Sequence, residues 1–280
     1  MFRYLIVTLA DAPRCSNTAM NTLRKSAATL VALTGLVLAS CNSTLDDGTT
    51  TTSTQSATGY WTGTDSVSGL NIIALINGGG QATFIRADGV QFTGVVQVSG
   101  STLAVTVDGY TQFPNTFSDG SVYGIGTLNG TVTSGSSITA TLSFTTNPGQ
   151  TAISGTWSLT YQTVSTNASS LAAINASGPY TDTVTGAVLA ITSAGDMTES
   201  ATNNCVLNGS VSTTNATYNI YQVAFSYGNC TGTYAVLNGV QFTGLATLNT
   251  GVSPAQLVLG VVGTSTANVQ YGIVSTLNGN

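Results

Sequence analysis

The feature that most limits what this chain can fold into is a period-two alternation of apolar and polar residues, broken by turn residues at intervals of about ten. Ile138, Ala140, Leu142 and Phe144 alternate with Thr139, Thr141, Ser143 and Thr145, and Trp157, Leu159 and Tyr161 alternate with Ser158 and Thr160. Successive side chains of a strand point to opposite faces, so this pattern writes a sheet with one apolar and one wet face. From Gly59 onward helix-period runs are absent, apart from a stretch at Ala168 to Ala176 long enough for two turns. In the first half the pattern predicts strands near residues 59–66, 70–77, 81–86, 90–99, 102–108, 121–132, 137–146 and 152–162.

The chain also repeats itself. Gly59-Tyr60-Trp61-Thr62-Gly63-Thr64 meets Gly178-Pro179-Tyr180-Thr181-Asp182-Thr183; Gly69 meets Gly186, Gly80 meets Gly195, and Thr127-Leu128-Asn129 meets Thr247-Leu248-Asn249. These offsets define two tandem copies, 59–162 and 178–280, joined by a linker at 163–177. A competing match, GVQFTG at Gly89 to Gly94 and again at Gly239 to Gly244, implies a longer offset that leaves the first strands unpaired, and reads as local coincidence. The predicted fold class is therefore all-β: two tandem, small, antiparallel up-and-down barrels. Closure removes the unpaired edges that a sheet of this length would otherwise expose. The interior of an eight-stranded barrel either fills with side chains or holds one small ligand.

Charge excludes some partners. Downstream of Cys41 one basic side chain, Arg86, stands against nine carboxylates, a net charge of −8, and the chain contains no histidine. Such a surface cannot neutralise phosphates, which argues against nucleic acid, and it gains nothing from anionic headgroups. Disorder is excluded by the density and regularity of the apolar positions.

The N-terminal part reads as an export signal. After Met20, Arg24 and Lys25 form a positive flank and Ala27 to Ala39 an apolar run, which is too short for the ~20 residues a membrane span requires. Leu38-Ala39-Ser40-Cys41 resembles the lipobox of bacterial lipoproteins residue for residue. The resemblance implies a signal peptide over 20–40, cleavage before Cys41, acylation of that cysteine, and, since residue 42 is Asn rather than Asp, delivery to the outer membrane. Residues 1–19, with Cys15, read as an upstream extension. Residues 41–58 read as a lipidated flexible tether, because a Ser/Thr/Gly-rich segment carrying Asp46-Asp47 cannot build a core. Beyond it, the arrangement is similar to the lipid-anchored eight-stranded barrels of transferrin-binding and factor H-binding surface lipoproteins, and more remotely to lipocalins. The likeness is architectural, without a diagnostic motif, so no binding residue is carried over.

Cys205 and Cys230 are the cysteines left in the exported part. In an oxidising compartment they are expected to pair, and closing this segment is worth ~3.5 kcal/mol by chain entropy. They lack the CxxC spacing and the histidine of a redox or metal centre. Ser and Thr are plentiful, but without His and with the only Lys in the signal no base is at hand to activate them. A pair of carboxylates could in principle do glycosidase work, yet Asp88-Gly89, Asp108-Gly109 and Asp119-Gly120 read as turns. Gly78-Gly79-Gly80 lacks the Lys and helix of a phosphate loop and reads as a hairpin turn. Arg86 and Asp88 share a strand face and are expected to pair. Tyr218, Tyr221, Phe225 and Tyr227 form an aromatic cluster, either core or an outward contact row. No catalytic residue, cofactor or metal is assigned.

These readings point to a non-enzymatic, lipid-anchored envelope lipoprotein that binds or displays, with a protein or small apolar ligand as partner. They are compatible with a periplasmic or an extracellular face. One alternative is a lipocalin-like carrier of a small apolar ligand, which requires a hollow barrel; another is a structural or adhesive β-protein, including a solenoid.

Overall fold

The computed structural model describes residues 54–183, 185–199 and 205–280. Cys41 and the lipobox lie outside these residues. The first nine strands are β1 (Gly59–Asp65), β2 (Asn71–Ile76), β3 (Gln81–Arg86), β4 (Gln91–Val95), β5 (Gln97–Ser99), β6 (Thr102–Tyr110), β7 (Tyr123–Thr133), β8 (Ser137–Asn147) and β9 (Ala152–Tyr161). All pairings are antiparallel between neighbours, except that β4 and β5 both pair with β6, and β1 pairs with β9 to close the ring. β4 and β5 are one bent strand interrupted at Val96: both face β6 in a single register, Gln91 opposite Tyr110 and Gln97 opposite Ala104. Counted so, the first barrel has eight strands.

The second barrel follows a short helix, α1 (Leu171–Ala176). Its strands are β10 (Tyr180–Thr181), β11 (Val188–Ile191), β12 (Asp196–Glu199), β13 (Val206–Thr213), β14 (Tyr221–Gly228), β15 (Gln241–Asn249), β16 (Gln256–Thr264) and β17 (Gln270–Asn278), closed between β10 and β17. The expected fold class is the observed one: two closed eight-stranded antiparallel barrels in tandem. A parallel solenoid is thereby excluded as architecture.

The repeat is real at the level of hydrogen bonds. Gly80 has φ +81°, and its carbonyl accepts the Val96 N–H at 2.8 Å; Gly195 has φ +95° and accepts the Val211 N–H at 2.8 Å. A Cβ would lie 2.8 Å from the Val96 carbonyl in one case and still closer to the Val211 carbonyl in the other, so both positions require glycine. Gly69 N–H bonds the Asp65 carbonyl and Gly186 N–H the Asp182 carbonyl, each at 2.8 Å. This last pairing corrects the alignment of the first strands: Asp65 corresponds to Asp182, so the GYWTGT match is displaced by two residues. A two-residue slip keeps every side chain on its face, which is why the motif deceives. The two GVQFTG segments fall on β4, a fourth strand, and β15, a sixth, and are not equivalent.

The inward faces of the first barrel are packed solid. Trp61, Trp157, Phe84, Phe92 and Phe144 are all buried. Phe92 meets Phe144 edge-on at 5.2 Å, and Trp157 lies 5.5 Å from both Phe84 and Phe92. In the second barrel Ile191, Val211, Tyr221, Leu248 and Leu257 fill the end nearest α1, with Phe225 stacked on Phe242 at 5.3 Å beyond them. Tyr221, Phe225 and Tyr227 all point inward from β14, and Tyr218 packs between the barrels, so the aromatic cluster forms no outward row.

The linker and the end of the tether are both packed against the barrels, and α1 falls within the stretch at Ala168 to Ala176 expected to hold two helical turns. Residues 163–177 contain a 3-10 turn and α1, whose Ile174 is fully buried and stoppers one end of the second barrel. The Tyr180 hydroxyl donates to the Ile174 carbonyl at 2.5 Å, and the buried Ser165 hydroxyl accepts the Tyr60 N–H at 2.6 Å. The described end of the tether is docked too: Gln55 N–H bonds the Gly100 carbonyl, Ala57 is buried, and its carbonyl accepts the Trp61 indole N–H at 2.8 Å. An indole that would otherwise be buried without a partner ties this segment down. Asp108 is likewise no turn residue: it sits within β6 and accepts the Tyr123 hydroxyl at 2.8 Å.

The barrels are docked side by side. Tyr60 and Leu75 pack on Ile220 and Leu245. The buried Gln91 amide donates to the Val261 carbonyl at 2.8 Å, Gln112 donates to the Val274 carbonyl at 3.1 Å, and Phe113 N–H bonds the Gly272 carbonyl at 2.9 Å. Two outward glycines permit this approach. A Cβ on Gly260 would lie 2.7 Å from the Thr83 methyl, and one on Gly272 would lie 2.5 Å from the Gln91 amide nitrogen. Gly260→Val should therefore wedge the barrels apart at a cost of about 1–3 kcal/mol. Differential scanning calorimetry should show one transition in the parent and two in the variant.

Candidate functional site

The two barrels share a frame but differ at one end. Counting from Gly80 and Gly195, the inward position held by Phe84 in β3 is held by Glu199 in β12. Counting across from Asp65 and Asp182, the position of Trp157 is that of Leu277. Where the first barrel packs an indole against a tilted phenyl ring, the second has a carboxylate and a smaller aliphatic group. A cavity of about 140 Å³ opens there, walled by Phe113, Tyr227, Tyr234 and Leu237, with Asp182 and Glu199 in its lining. A narrow extension of about 40 Å³ continues inward between Leu189, Met197, Leu207 and Phe225.

This mouth is built from several elements. Asp182 follows β10 directly and is held by the Thr185 N–H at 3.0 Å. Glu199 is the last residue of β12, Tyr227 is on β14, and Tyr234 comes from the 3-10 turn Gly232–Leu237. Phe113 reaches over from the first barrel, with ring centroids 5.6 Å from Tyr234 and 5.5 Å from Tyr271. The mouth is continuous with a larger groove of about 710 Å³ between the barrels, which shares Gln112, Asp182, Thr185 and Ser275 and adds Arg86 and Asn71.

Burial pushes the Glu199 carboxyl up, and the neighbouring Asp182 charge adds to it, to about 7. Burial also raises the Tyr227 phenol, with further contributions from Glu199, Tyr234 and Asp182. The single basic side chain among the described residues is engaged elsewhere: Arg86 grips Asp88 through Nε at 2.9 Å and Nη2 at 2.7 Å, as its spacing suggests. Burial opposes ionisation of Asp88, but these two bonds, the Arg86 charge and the Val90 N–H outweigh it and hold the carboxyl below its ordinary value.

Cys205 and Cys230 are joined in a disulfide, as expected. They flank the outermost pair of the β13–β14 ladder, Val206 opposite Gly228, and so clip that hairpin at the rim of the mouth, where Cys205 lines the cavity. No group of three or more His, Cys, Asp or Glu side chains among the described residues is arranged to hold a metal ion. Asp119 is the turn acid its sequence suggests: it accepts the Thr146 hydroxyl and the Ser121 N–H at 2.9 Å, which together pull its carboxyl well below the usual range. The pair that structure brings together, Asp182 and Glu199, is not visible in the sequence. The one signal that could reveal it is Glu199 at an inward-phase position two residues after Met197.

Two outcomes follow. An elevated carboxyl binds its proton more tightly folded than unfolded, so stability is highest below pH 4.5 as far as this group is concerned and falls as pH rises to about 7. Glu199→Gln should flatten that slope and raise stability above pH 7 by about 1–3 kcal/mol in urea titrations across pH. Replacing Cys205 and Cys230 by Ser should cost ~3 kcal/mol; with the barrels docked, thermal unfolding monitored in each barrel should shift in both.

Comparison with known proteins leaves the site without a counterpart: the chain matches no family model, no curated protein and no solved structure.

Proposed function

We propose that this is a lipid-anchored protein of the bacterial cell envelope, non-enzymatic, that carries a binding site on a rigid two-barrel unit. The observation that supports this reading most is the opposition of the two ends. The chain enters beside the start of β1, where Gln55 and Ser56 bond Gly100 and Ser134. α1 stoppers the second barrel on that same side, where Asn219 N–H bonds the Ser165 carbonyl at 3.1 Å. The mouth lined by Asp182 and Glu199 opens at the other side, where Phe113 meets Tyr271. Thirteen residues separate Cys41 from Gln55, a length that spans at most about 50 Å even when fully extended. An acyl chain on Cys41 would hold the unit close to the bilayer with the mouth turned away from it.

The lipocalin-like alternative asks for a chamber. The first barrel is filled by Trp61, Trp157, Phe84, Phe92 and Phe144, and the cavity in the second is far below the ~300–1,000 Å³ of ordinary ligand pockets. Those volumes weigh against a carrier of an apolar ligand and favour recognition of a small group at the rim.

In cells fed a labelled fatty acid, the wild-type chain should carry label and sediment with membranes, and Cys41→Ser should do neither. Label retained by the variant would overturn the anchor.

A further inference from the structure

We propose that the mouth of the second barrel binds a primary ammonium group on an alkyl stem, with Asp182 and Glu199 facing the charge and Phe113, Tyr227 and Tyr234 walling the stem. The inference deepens the reading of the protein as a binding module and rests on it.

Three features of the cavity select this chemistry. Its walls are aromatic on three sides, contributed by both barrels and by the 3-10 turn, and aromatic faces attract a cation while excluding water from its stem. Its two ionisable acids line both the cavity and its inward extension, and Asp182 also borders the larger groove; beside the partly buried Glu199 a carboxylate is worth more to a cation than on an open surface. Its volume of about 140 Å³ accepts roughly four or five water-sized groups, the size of an aminobutyl chain. A phosphate or carboxylate ligand meets like charge here, and the protein's single downstream cation, Arg86, is gripped by Asp88.

The groups that face Glu199 set the pH behaviour. Asp182 reaches it from the end of β10, and the phenols of Tyr227 on β14 and Tyr234 on the 3-10 turn complete the titratable set; Leu189, Leu207, Ile273 and Ser275 contribute none. With Glu199 titrating at about 7 in the empty pocket, a bound ammonium favours its ionised form. Binding near neutral pH should then release a fraction of a proton, and affinity should fall about tenfold per pH unit below 7.

The test is isothermal titration of the full chain in detergent with two amines, 1,5-diaminopentane and N-acetyl-lysine amide, in buffers of differing ionisation enthalpy. N-acetyl-norleucine amide, which keeps the stem and lacks the nitrogen, is the control. The free amine and the peptide-borne lysine distinguish a soluble ligand from a protein partner, and binding of either supports the site. Glu199→Gln should weaken the amine ~10-fold or more and abolish its proton release, whereas Tyr234→Leu should weaken it ~2–30-fold. Asp196→Asn, at the far end of β12, should change nothing. Equal binding of the norleucine control, unchanged binding by Glu199→Gln, or no binding of either amine up to about 10 mM would overturn the ammonium site. None of these outcomes touches the acylation of Cys41, so the anchored-module reading is judged separately.

Discussion

Closure of eight strands into a ring fixes an interior of nearly constant width, and everything distinctive about this protein follows from what is placed in that interior. A ring has no edge to protect, so the chain needs no charged gatekeepers, and a surface of Thr, Ser, Asn and Gly suffices. The same closure makes each inward position a volume that must be occupied or left open. In the first barrel Phe84 and Trp157 occupy it. In the second, Glu199 and Leu277 stand in those places, and a cavity results without any change of topology. Hollowing one copy while the other stays solid requires two side chains, not a new fold.

The second constraint is the contact between the rings. Gln91 places its amide where the Val261 and Ile273 carbonyls can be reached, at 2.8 and 3.4 Å, and Gly260 and Gly272 keep the opposing surface low enough to allow it. The two carbonyls belong to adjacent strands of the second barrel, β16 and β17, where Val261 stands opposite Ile273. The docking carries the first barrel's Gln112 and Phe113 to the second barrel's rim, so the wall of the mouth is completed by the neighbouring copy. A single barrel of either kind would not make this site.

Much of this architecture was legible in the sequence. The alternation at Ile138 to Thr145 emerges as β8, and the glycines at 69, 80, 186 and 195 mark matching turns because positive φ is a demand that few other residues meet. What was not legible has physical reasons. Alternation reports which face is inward but is blind to a two-residue slip, and so the first strands of the second copy are misaligned by that amount. The tether reads as slack from composition, yet Ala57 is buried, and the linker, whose two helical turns are legible, buries Ser165 and Ile174 by contacts with distant residues that composition does not encode. The pairing of Asp182 with Glu199 depends on ring closure, which brings together β10 and β12 across β11; read along the chain, one looks like a turn acid and the other like the end of a strand.

The site also explains why the disulfide lies where it does. An ionised Glu199 in a half-desolvated mouth costs the fold up to about 3 kcal/mol at neutral pH, taking the whole displacement of its carboxyl as the measure. The strands that meet there are short: β10 has two residues, and β11 and β12 four each, against ten or eleven in β7, β8 and β9. The rim is therefore weakly laddered and bears a destabilising charge. The bridge from Cys205 to Cys230 closes the β13–β14 hairpin at that rim, and its chain-entropy contribution of ~3.5 kcal/mol is of the same size as the cost. The first barrel, with Phe84 in place of the acid and longer strands throughout, has no cysteine and needs none. A local deficit offset by a local covalent constraint is what a binding site in a marginally stable domain requires. It ties the one cross-link among the described residues to the one inward carboxylate pair that the fold leaves facing a cavity.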